Sequence, residues 1–477
     1  MGTANQTIQN TINAVRTDAA GKNPVIQFGN NGNELNIGTA TASFNNSGGT
    51  WGAVTLKGKI SSAVNNNDSS TINIGDSVSV TSMADIKRDT AGIAVSFNST
   101  GTLSITGGTV SAPPNGIAIS HNSSGTVSIA GGTVSAASGY AVYNNHSGAV
   151  NISGGTVSAT TGYAVYNASI GKITVSGTAK LSSASTEDKG TIYLGYNGVV
   201  TATLLEITGG TVENTSAFGN AVCNDSAGAV SISGGTVSSN NKGTAVYNKS
   251  TGAITISGGL ISGGSTNCYA VLNERGGTLS ITGGTVWAGG DIITVCNAGM
   301  LSITGGTVSA TKSVAVENLG TLIITGGTVS ATSGIAVSHW GGTVSISDGM
   351  VSATTGIALS ISYSGGGTTV SGTAKVTSAN TETGKGTIYI ATSNWDNSNG
   401  PLIITGGRVE NTSTTTGNAI RNDNSTRAVS ITGGTVYKAG DSDYAVNNAG
   451  GGAVTIKNPP AVSITGNHTG SNINFVP

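Results

Sequence analysis

The chain has 477 residues, of which 75 are glycine, only 9% are charged and 4% are aromatic, and its formal net charge is -1. An ordinary domain carries about 25% charged residues and about 7% glycine. A low content of charged residues can indicate disorder, but 36% of the residues are hydrophobic and many of these are Val and Ile, which indicates a chain that packs. The balance of 20 basic and 21 acidic residues argues against nucleic acid as a partner, and the lack of any run of about 18 apolar residues argues against membrane insertion.

The first predicted element is a short amphipathic helix in "NQTIQNTINAV", where Ile8, Ile12 and Val15 share one face. Weaker apolar alternation follows in "LNIGTA", "LKGKIS" and "INIGDS", and residues 1–60 are predicted to be an N-terminal cap with the first coils. The N-terminus lacks the basic start and apolar stretch of a signal peptide. Charge-poor repeats rich in Ser, Thr, Gly and Asn are typical of secreted chains, so we expect a secreted protein whose signal segment is absent from this sequence.

Residues 61–450 are built from a repeated unit exemplified by "LSITGGTVSA". The second glycine of each pair recurs about every 23 residues, a period that indicates a solenoid. Apolar residues alternate within each unit, which indicates strands, and each unit contains three of them. One aliphatic column precedes the glycine, as at Ile105 and Ile129, and a second follows it through Val110, Val157, Ala179 and Ala374. Stacked units would bury both columns in one core, and glycine would allow the sharp corner between the strands.

A third column is made of asparagine at the end of "YAVYN" and its equivalents. Asn side chains stacked in register can bond to turn amides and to one another. His121 and His339 take the same place in two coils. The column predicts an asparagine ladder and comprises Asn144, Asn167, Asn224, Asn248, Asn273, Asn297, Asn318, Asn422 and Asn448.

The cassette "GYAVYNNHSGAVNISGGTVSATTGYAVYN" resembles the repeats of large secreted bacterial surface proteins, and its three strands and Asn ladder resemble the right-handed parallel β-helix of the pectate-lyase-like superfamily. The resemblance covers roughly residues 60–450. It implies an all-β fold, a single elongated right-handed parallel β-helix with about 23 residues and three strands per coil, in which the N-terminal helix plugs the first coil. About 17 coils would span roughly 80 Å.

Two longer intervals, 33 residues from Gly177 to Gly210 and 35 from Gly372 to Gly407, mark insertions that belong to a duplicated block of roughly 195 residues. The inserted loops carry the densest charge, and loops on a rigid scaffold often carry sites; a solvated turn is the simpler interpretation. Residues 451–477 are predicted to be a C-terminal cap, where a proline pair would block further pairing. The inserted charges are Glu187, Asp188, Lys189, Glu382 and Lys385.

Catalysis would require an acid and a base on neighbouring coils, and the resemblance implies a polysaccharide substrate. Outward positions are mostly Thr and Ser, and the weak candidates are Glu213, Arg408 and Glu410. Arg408 and Glu410 lie two residues apart on one strand face, so a surface ion pair is the simpler interpretation. Cys223, Cys268 and Cys296 and the scattered histidines form no metal-ligand spacing, and no Asp-rich calcium motif is present. We expect neither a metal nor a cofactor.

Binding is the second candidate function. Tyr143, Tyr166 and Tyr247 follow the central Val of their strands, and Trp287 interrupts a surface of small residues. Exposed rings on a rigid face can stack on sugars, although tyrosine also stabilises strands without a ligand. A third possibility is ice, because Thr-x-Ser recurs after the corner, as at Thr109 and Ser111.

The sequence favours an extracellular bacterial surface module, adhesin-like or carbohydrate-interacting and monomeric, whose partner is a polysaccharide or a cell-surface glycan. A polysaccharide lyase or glycoside hydrolase is the alternative, and an ice-binding protein is the third interpretation.

Overall fold

The chain is an all-β right-handed parallel solenoid with one short helix, seen in a computed structural model. It divides into two compact units, Met1–Val246 and Tyr247–Pro477, and each is described by itself. The inserted charges Glu187, Asp188 and Lys189, together with Cys268 and the proline pair at 459–460, lie outside the described residues. The structure describes residues 4–18, 22–29, 32–37, 40–46, 50–62, 70–186, 190–240, 242–264, 269–362, 366–392, 400–458 and 462–477.

The N-terminal helix, Ala4–Asp18, covers the edge of the first coil. Ile12 is buried, and the Gln9 side chain pairs with the backbone of Ser43 in the strand Ala42–Phe44: its Nε2 donates to the carbonyl (3.2 Å) and its Oε1 accepts from the N–H (3.2 Å). Arg16 also donates to the Asn45 carbonyl at 3.2 Å. A side-chain amide thus takes the place of a missing neighbouring strand.

Three rows of strands make up each unit. Row 1 precedes the glycine corner, row 2 follows it and row 3 ends in the asparagine column; some strands run through the corner and belong to rows 1 and 2. In unit 1, row 1 has Val25–Phe28, Val80–Ser82, Thr102–Ile105, Thr126–Ile129, Ala149–Ile152 and Ile173–Val175; row 2 has Leu35–Asn36, Asp85–Arg88, Thr109–Ala112, Thr133–Ala136, Thr156–Ala159 and Lys180–Ser183; both rows share Val54–Ser62, Thr203–Asn214 and Ala229–Ser239; row 3 has Ala42–Phe44, Ser70–Ile74, Ile93–Phe97, Ile117–His121, Tyr140–Asn144, Tyr163–Asn167, Ile192–Leu194 and Val222–Asn224.

Unit 2 repeats this arrangement, and the strand Val246–Asn248 contains the boundary between the units. Row 1 has Ala253–Ile256, Thr278–Ile281, Met300–Ile303, Thr368–Val370, Val454–Lys457 and Ile473–Val476; row 2 has Leu260–Ser262, Thr285–Ala288, Thr307–Ala310, Lys375–Ser378 and Val462–Thr465; both rows share Thr321–Ala331, Thr343–Ala353, Leu402–Asn411 and Val429–Lys438; row 3 has Tyr269–Asn273, Ile293–Asn297, Val314–Asn318, Ile335–His339, Ile357–Ile361, Gly386–Ile390, Asn418–Asn422, Tyr444–Asn448 and Asn467–Gly470.

Each strand pairs in parallel with its equivalent one coil away, so that like residues stack. Ile105 is in register with Ile129, and Ile129 with Ile152, and all three are fully buried. The second predicted column is wrong at two places: Val157 pairs with Leu181 rather than Ala179, and Val376 rather than Ala374 continues the column in unit 2. The "GTAK" corner is two residues longer than "GGTV", which moves the inward residue two places along the chain.

The glycine corners have the conformation that the sequence predicts. The fourteen corner glycines of the repeats from Gly108 to Gly434 have φ between 56° and 83°, a left-handed region that other residues enter at a cost. A Cβ on Gly155 would also lie 2.6 Å from the Gly132 carbonyl oxygen one coil away. The corner therefore needs glycine both for its backbone angle and for the close approach of the coils.

The asparagine ladder is confirmed. In unit 2, Asn248 donates to Asn273 (2.9 Å), Asn273 to Asn297 (2.8 Å) and Asn297 to Asn318 (2.8 Å). The same amides also donate to turn carbonyls, as Asn273 does to Gly277 at 3.1 Å. The side chains are buried, so these bonds satisfy polar groups that have no access to water.

Candidate functional site

Five tyrosines form one cluster on the outer face of row 3 in unit 1. The Tyr143 ring stacks on Tyr166 (centroids 5.4 Å apart) and Tyr166 on Tyr193 (5.2 Å). A second column places Tyr140 on Tyr163 at 5.4 Å, and Tyr140 also lies 5.3 Å from Tyr143. Three consecutive coils therefore hold five of the 12 tyrosines of the chain. We call these five residues the tyrosine cluster.

The sequence predicted two members of this cluster and missed three. Tyr143 and Tyr166 were identified from their place after the central Val, and they are in register. Tyr140 and Tyr163 were missed because strict alternation would put them on the opposite face from Tyr143 and Tyr166. The pairing omits Ala141, which is fully buried, and this irregularity returns Tyr140 to the side of Tyr143. The direct repetition of "GYAVYN" after 23 residues was the signal available for them.

Hydrogen bonds fix two hydroxyls of the cluster. Tyr193 donates to Asp225 Oδ2 at 2.9 Å, and Tyr143 donates to Asn145 Oδ1 at 3.2 Å. Burial, followed by the bond to Asp225, raises the pKa of Tyr193 well above its usual range. Burial also raises the pKa of Tyr166. The phenols of Tyr193 and Tyr166 are therefore neutral near pH 7.

The column of stacked rings ends at Tyr143 on one side and at Tyr193 on the other, where Tyr193 is buried and in register with Cys223. Ser120 is the in-register neighbour of Tyr143 on the side away from Tyr166, and Ser96 comes before it. No other ring of a described residue stacks on Tyr143 from the Ser120 side. Stacked rings cover each other's faces, so Tyr143, which is half-buried at the end of its column, has a face that a flat ligand can contact. The polar neighbour of Tyr143 in this column is Ser120, whose hydroxyl donates to Asn122 Oδ1 at 3.0 Å.

Tyr247 lies in unit 2, with a different environment. Its hydroxyl donates to Glu274 Oε1 at 3.2 Å.

Further along row 3, the Cys296 thiol donates to Glu317 at 3.7 Å. Burial raises the pKa of Cys296 to about 12 and also raises that of Glu317. The thiol is therefore un-ionised and unreactive near neutral pH.

Trp287 is an isolated, exposed ring on the outer face of row 2 in unit 2. Its side chain is 43% exposed, and its in-register neighbours are Ser262 and Ser309. The ring lies over Gly289, where a Cβ would come within 2.7 Å of it. Trp287 therefore has the exposed aromatic surface that the sequence predicted, as a single ring.

The catalytic candidates do not form an acid and base pair poised for chemistry. The Arg408 guanidinium donates to both carboxylate oxygens of Glu410, at 2.7 and 3.0 Å, and lies 4.9 Å from the Tyr437 ring. Its hydrogen bonds lower the pKa of Glu410, which keeps this carboxylate ionised. In unit 1, Glu213 lies between Ser182 and Ser238. The expected ion pair of Arg408 and Glu410 is thus present.

The Thr-x-Ser surface is short in each unit. In unit 1 it covers three consecutive coils before Lys180 replaces the threonine. In unit 2, Met350 follows Thr328 in register and ends a similar run. A regular hydroxyl lattice therefore extends over only a few coils.

The described residues contain no group of three or more His, Cys, Asp or Glu side chains arranged to hold a metal ion. Within the same residues, no helix has the length and apolar character needed to cross a membrane. Comparison of the chain with family models, curated proteins and solved structures gave no match. The fold is thus a parallel β-solenoid with asparagine ladders.

Proposed function

We propose that this chain is an extracellular structural module of a bacterial cell surface, similar to pectate-lyase-like and adhesin-type β-helices, and that it binds glycans without cleaving them. The tyrosine cluster is the observation that carries the proposal. Its composition and rigidity support binding: the rings are held on three paired strands, so little side-chain freedom is lost when a ligand is bound. Charge-poor repeats typical of secreted chains support the location.

The geometry favours contact with a neutral sugar at Tyr143. Its face at the end of the stack can contact the apolar side of a sugar ring, while Ser120 and the Asn122 side chain bonded to it supply polar contacts. The five tyrosine side chains supply no cation that would attract an acidic polymer. We therefore assign recognition to shape and stacking, and the paired state of Arg408 and Glu410 favours binding over catalysis.

Replacing one ring tests the proposal. The substitution Tyr143→Ser introduces the residue type that the preceding coil has at the equivalent position, Ser120. We therefore expect the strand to accept it. Loss of one stacking contact should weaken glycan binding about tenfold, ~1.4 kcal/mol, as measured by affinity electrophoresis in gels containing soluble polysaccharides. Tyr389→Ser is the matched control, because Tyr389 has the same place in row 3 of unit 2, outside the cluster. Equal mobility of Tyr143→Ser and the wild type would contradict the proposal.

A further inference from the structure

A second surface of unit 1 carries charged residues in register. In row 2, Leu35 pairs with Ile60 and Ile60 with Ile86. The outward residue before each of these is charged, so that Glu34, Lys59 and Asp85 follow one another in three adjacent coils. The spacings, 25 and 26 residues, are those of the repeat, and this periodicity is the signal that sequence reasoning missed because the first coils are irregular.

The contacts of these residues leave one cation available. Glu34 accepts a hydrogen bond from the Ser61 hydroxyl, and Asp85 Oδ1 accepts one from the Thr109 N–H at 2.9 Å. In the next column the Lys87 ammonium pairs with Asp89 at 2.8 Å. Within the described part of the chain, the exposed Lys59 ammonium has neither a hydrogen-bond acceptor nor an ion-pair partner. Its donors are open to a ligand.

These residues line a cleft of about 270 Å³, just below the range of about 300–1,000 Å³ for small-ligand sites. Glu34, Lys59, Asp85 and Lys87 form its charged walls, and the hydroxyls of Thr109 and Ser111 complete it. The size suits a single sugar unit. The cleft also opens onto the Thr-x-Ser surface of the next coils, since Thr109 and Ser111 are the first residues of that surface.

The charges of the cleft indicate which ligand it accepts. Two carboxylates and two ammonium groups nearly cancel, so neither a polyanion nor a polycation is favoured overall. Carboxylates accept hydrogen bonds from pairs of hydroxyl groups, and the ammonium of Lys59 donates to hydroxyl or ring oxygens. An acidic sugar would have to approach both Glu34 and Asp85. A neutral, hydroxyl-rich ligand satisfies all of these groups.

We propose that this cleft is a second glycan-binding site, which holds a neutral sugar unit while the rest of the chain lies along the Thr-x-Ser surface. This inference rests on the proposed glycan binding and assigns it a further site on another face of unit 1. A ladder of alternating charge also stabilises neighbouring strands, so the test must separate ligand binding from stability.

The experiment compares single substitutions in the full chain by affinity electrophoresis in a soluble neutral β-glucan, with polygalacturonate as the acidic counterpart. Lys59→Met keeps the apolar stem and removes the ammonium, and Asp85→Asn retains an acceptor for the Thr109 N–H. Each should weaken binding of the neutral polymer several-fold to about tenfold. Lys57→Met, an exposed lysine on the same strand that does not line the cleft, is the control and should bind like the wild type.

The outcomes separate this inference from the proposed function. Unchanged binding by Lys59→Met and Asp85→Asn, while Tyr143→Ser binds weakly, would overturn the second site and leave the tyrosine cluster. If binding weakens only in variants whose melting temperature also falls, the charged residues stabilise the strands and do not bind the ligand. That result would also overturn the second site. If only polygalacturonate retards the wild-type protein, the inference that the cleft binds a neutral sugar would be overturned. A wild type that no polysaccharide retards would overturn both proposals.

Discussion

His121 occupies a place in the asparagine column where a titratable ring replaces an amide. It is fully buried beside Phe97, with ring centroids 5.3 Å apart. Burial is the main cause that lowers its pKa to about 4, and the nearby His146 makes a smaller contribution to this shift. The replacement of Asn by His at residue 121 also affects Asn144, the next amide in the column. No described residue donates a hydrogen bond to the buried Asn144 Oδ1. Both features follow from one His in place of Asn.

The pKa of His121 predicts that the solenoid loses stability in mild acid. Between the ordinary pKa of about 6.5 and the folded value of about 4, the unfolded chain binds a proton that the folded chain does not. The free energy of unfolding should therefore fall as pH drops through this window, by up to about 3 kcal/mol, and level off below it. His121→Asn should remove most of this slope in urea titrations at a series of pH values.

His146→Asn serves as the control for that experiment, because His146 is exposed on the following turn. It should retain nearly all of the acid sensitivity. A pH slope that is the same in His121→Asn and the wild type would show that other groups cause the loss. His339, whose pKa burial also lowers, would then be the next residue to replace.

The N-terminal helix is the element that closes the first edge of the solenoid. Parallel strands leave unpaired backbone groups at an edge, and such edges promote association. The Gln9 side-chain amide pairs with this edge, because it both donates to and accepts from the backbone of Ser43. The helix thus acts through a specific hydrogen-bonded pair as well as through the apolar contact of Ile12.

Gln9→Glu should uncover this edge. The carboxylate cannot donate to the Ser43 carbonyl and would repel it, so the free energy of unfolding should fall by about 1–2 kcal/mol, and larger species should appear in size-exclusion chromatography. Asn10→Asp makes the same chemical change one residue further along on the exposed side of the helix. If both variants eluted and unfolded alike, the amide pair would not be what protects the edge.

Sequence periodicity predicted the rows, the corners and the asparagine column because each coil repeats one set of physical requirements: an aliphatic core, a positive φ and paired turn amides. It failed where a coil departs from the repeat length. Leu181 displaced Ala179 at a longer corner, and the irregular pairing at Ala141 brought Tyr140 beside Tyr143. Lys59 and Asp85 lie side by side because of the register between their two coils. The first repeats are too irregular in sequence to predict that register.

The duplicated block shows how whole coils evolve on one scaffold. In unit 1, Asn214 donates to the Asn220 carbonyl at 3.0 Å, and in unit 2 Asn411 donates to the Asn418 carbonyl at 3.0 Å. The interior bond is the same in both copies, whereas the surface differs at one outward position: Thr211 corresponds to Arg408, while Glu213 corresponds to Glu410. Buried polar residues are constrained by their bonds, and outward residues are free to acquire new contacts.

A stack in which each coil contacts only its neighbours should respond locally to damage. Asn273→Ala removes a donor to Gly277 and both neighbouring ladder contacts, at a cost of about 2–3 kcal/mol. Hydrogen exchange followed by mass spectrometry should show faster exchange in the coils from Asn248 to Asn297, with peptides of residues 102–167 unchanged. Asn474→Ala, at an exposed position, is the control. Uniformly faster exchange along the chain would contradict the nearest-neighbour description.

For the whole molecule, we propose that the solenoid binds a glycan without cleaving it. The most direct measurement is depletion of the purified protein from solution by a panel of insoluble polysaccharides, with each supernatant assayed for new sugar ends. We predict depletion by at least one neutral polysaccharide, weaker depletion of Tyr143→Ser, and no new ends. New sugar ends would contradict the claim and direct attention to Glu213, Arg408 and Glu410, and a protein that stays in solution with every polysaccharide would contradict glycan binding itself.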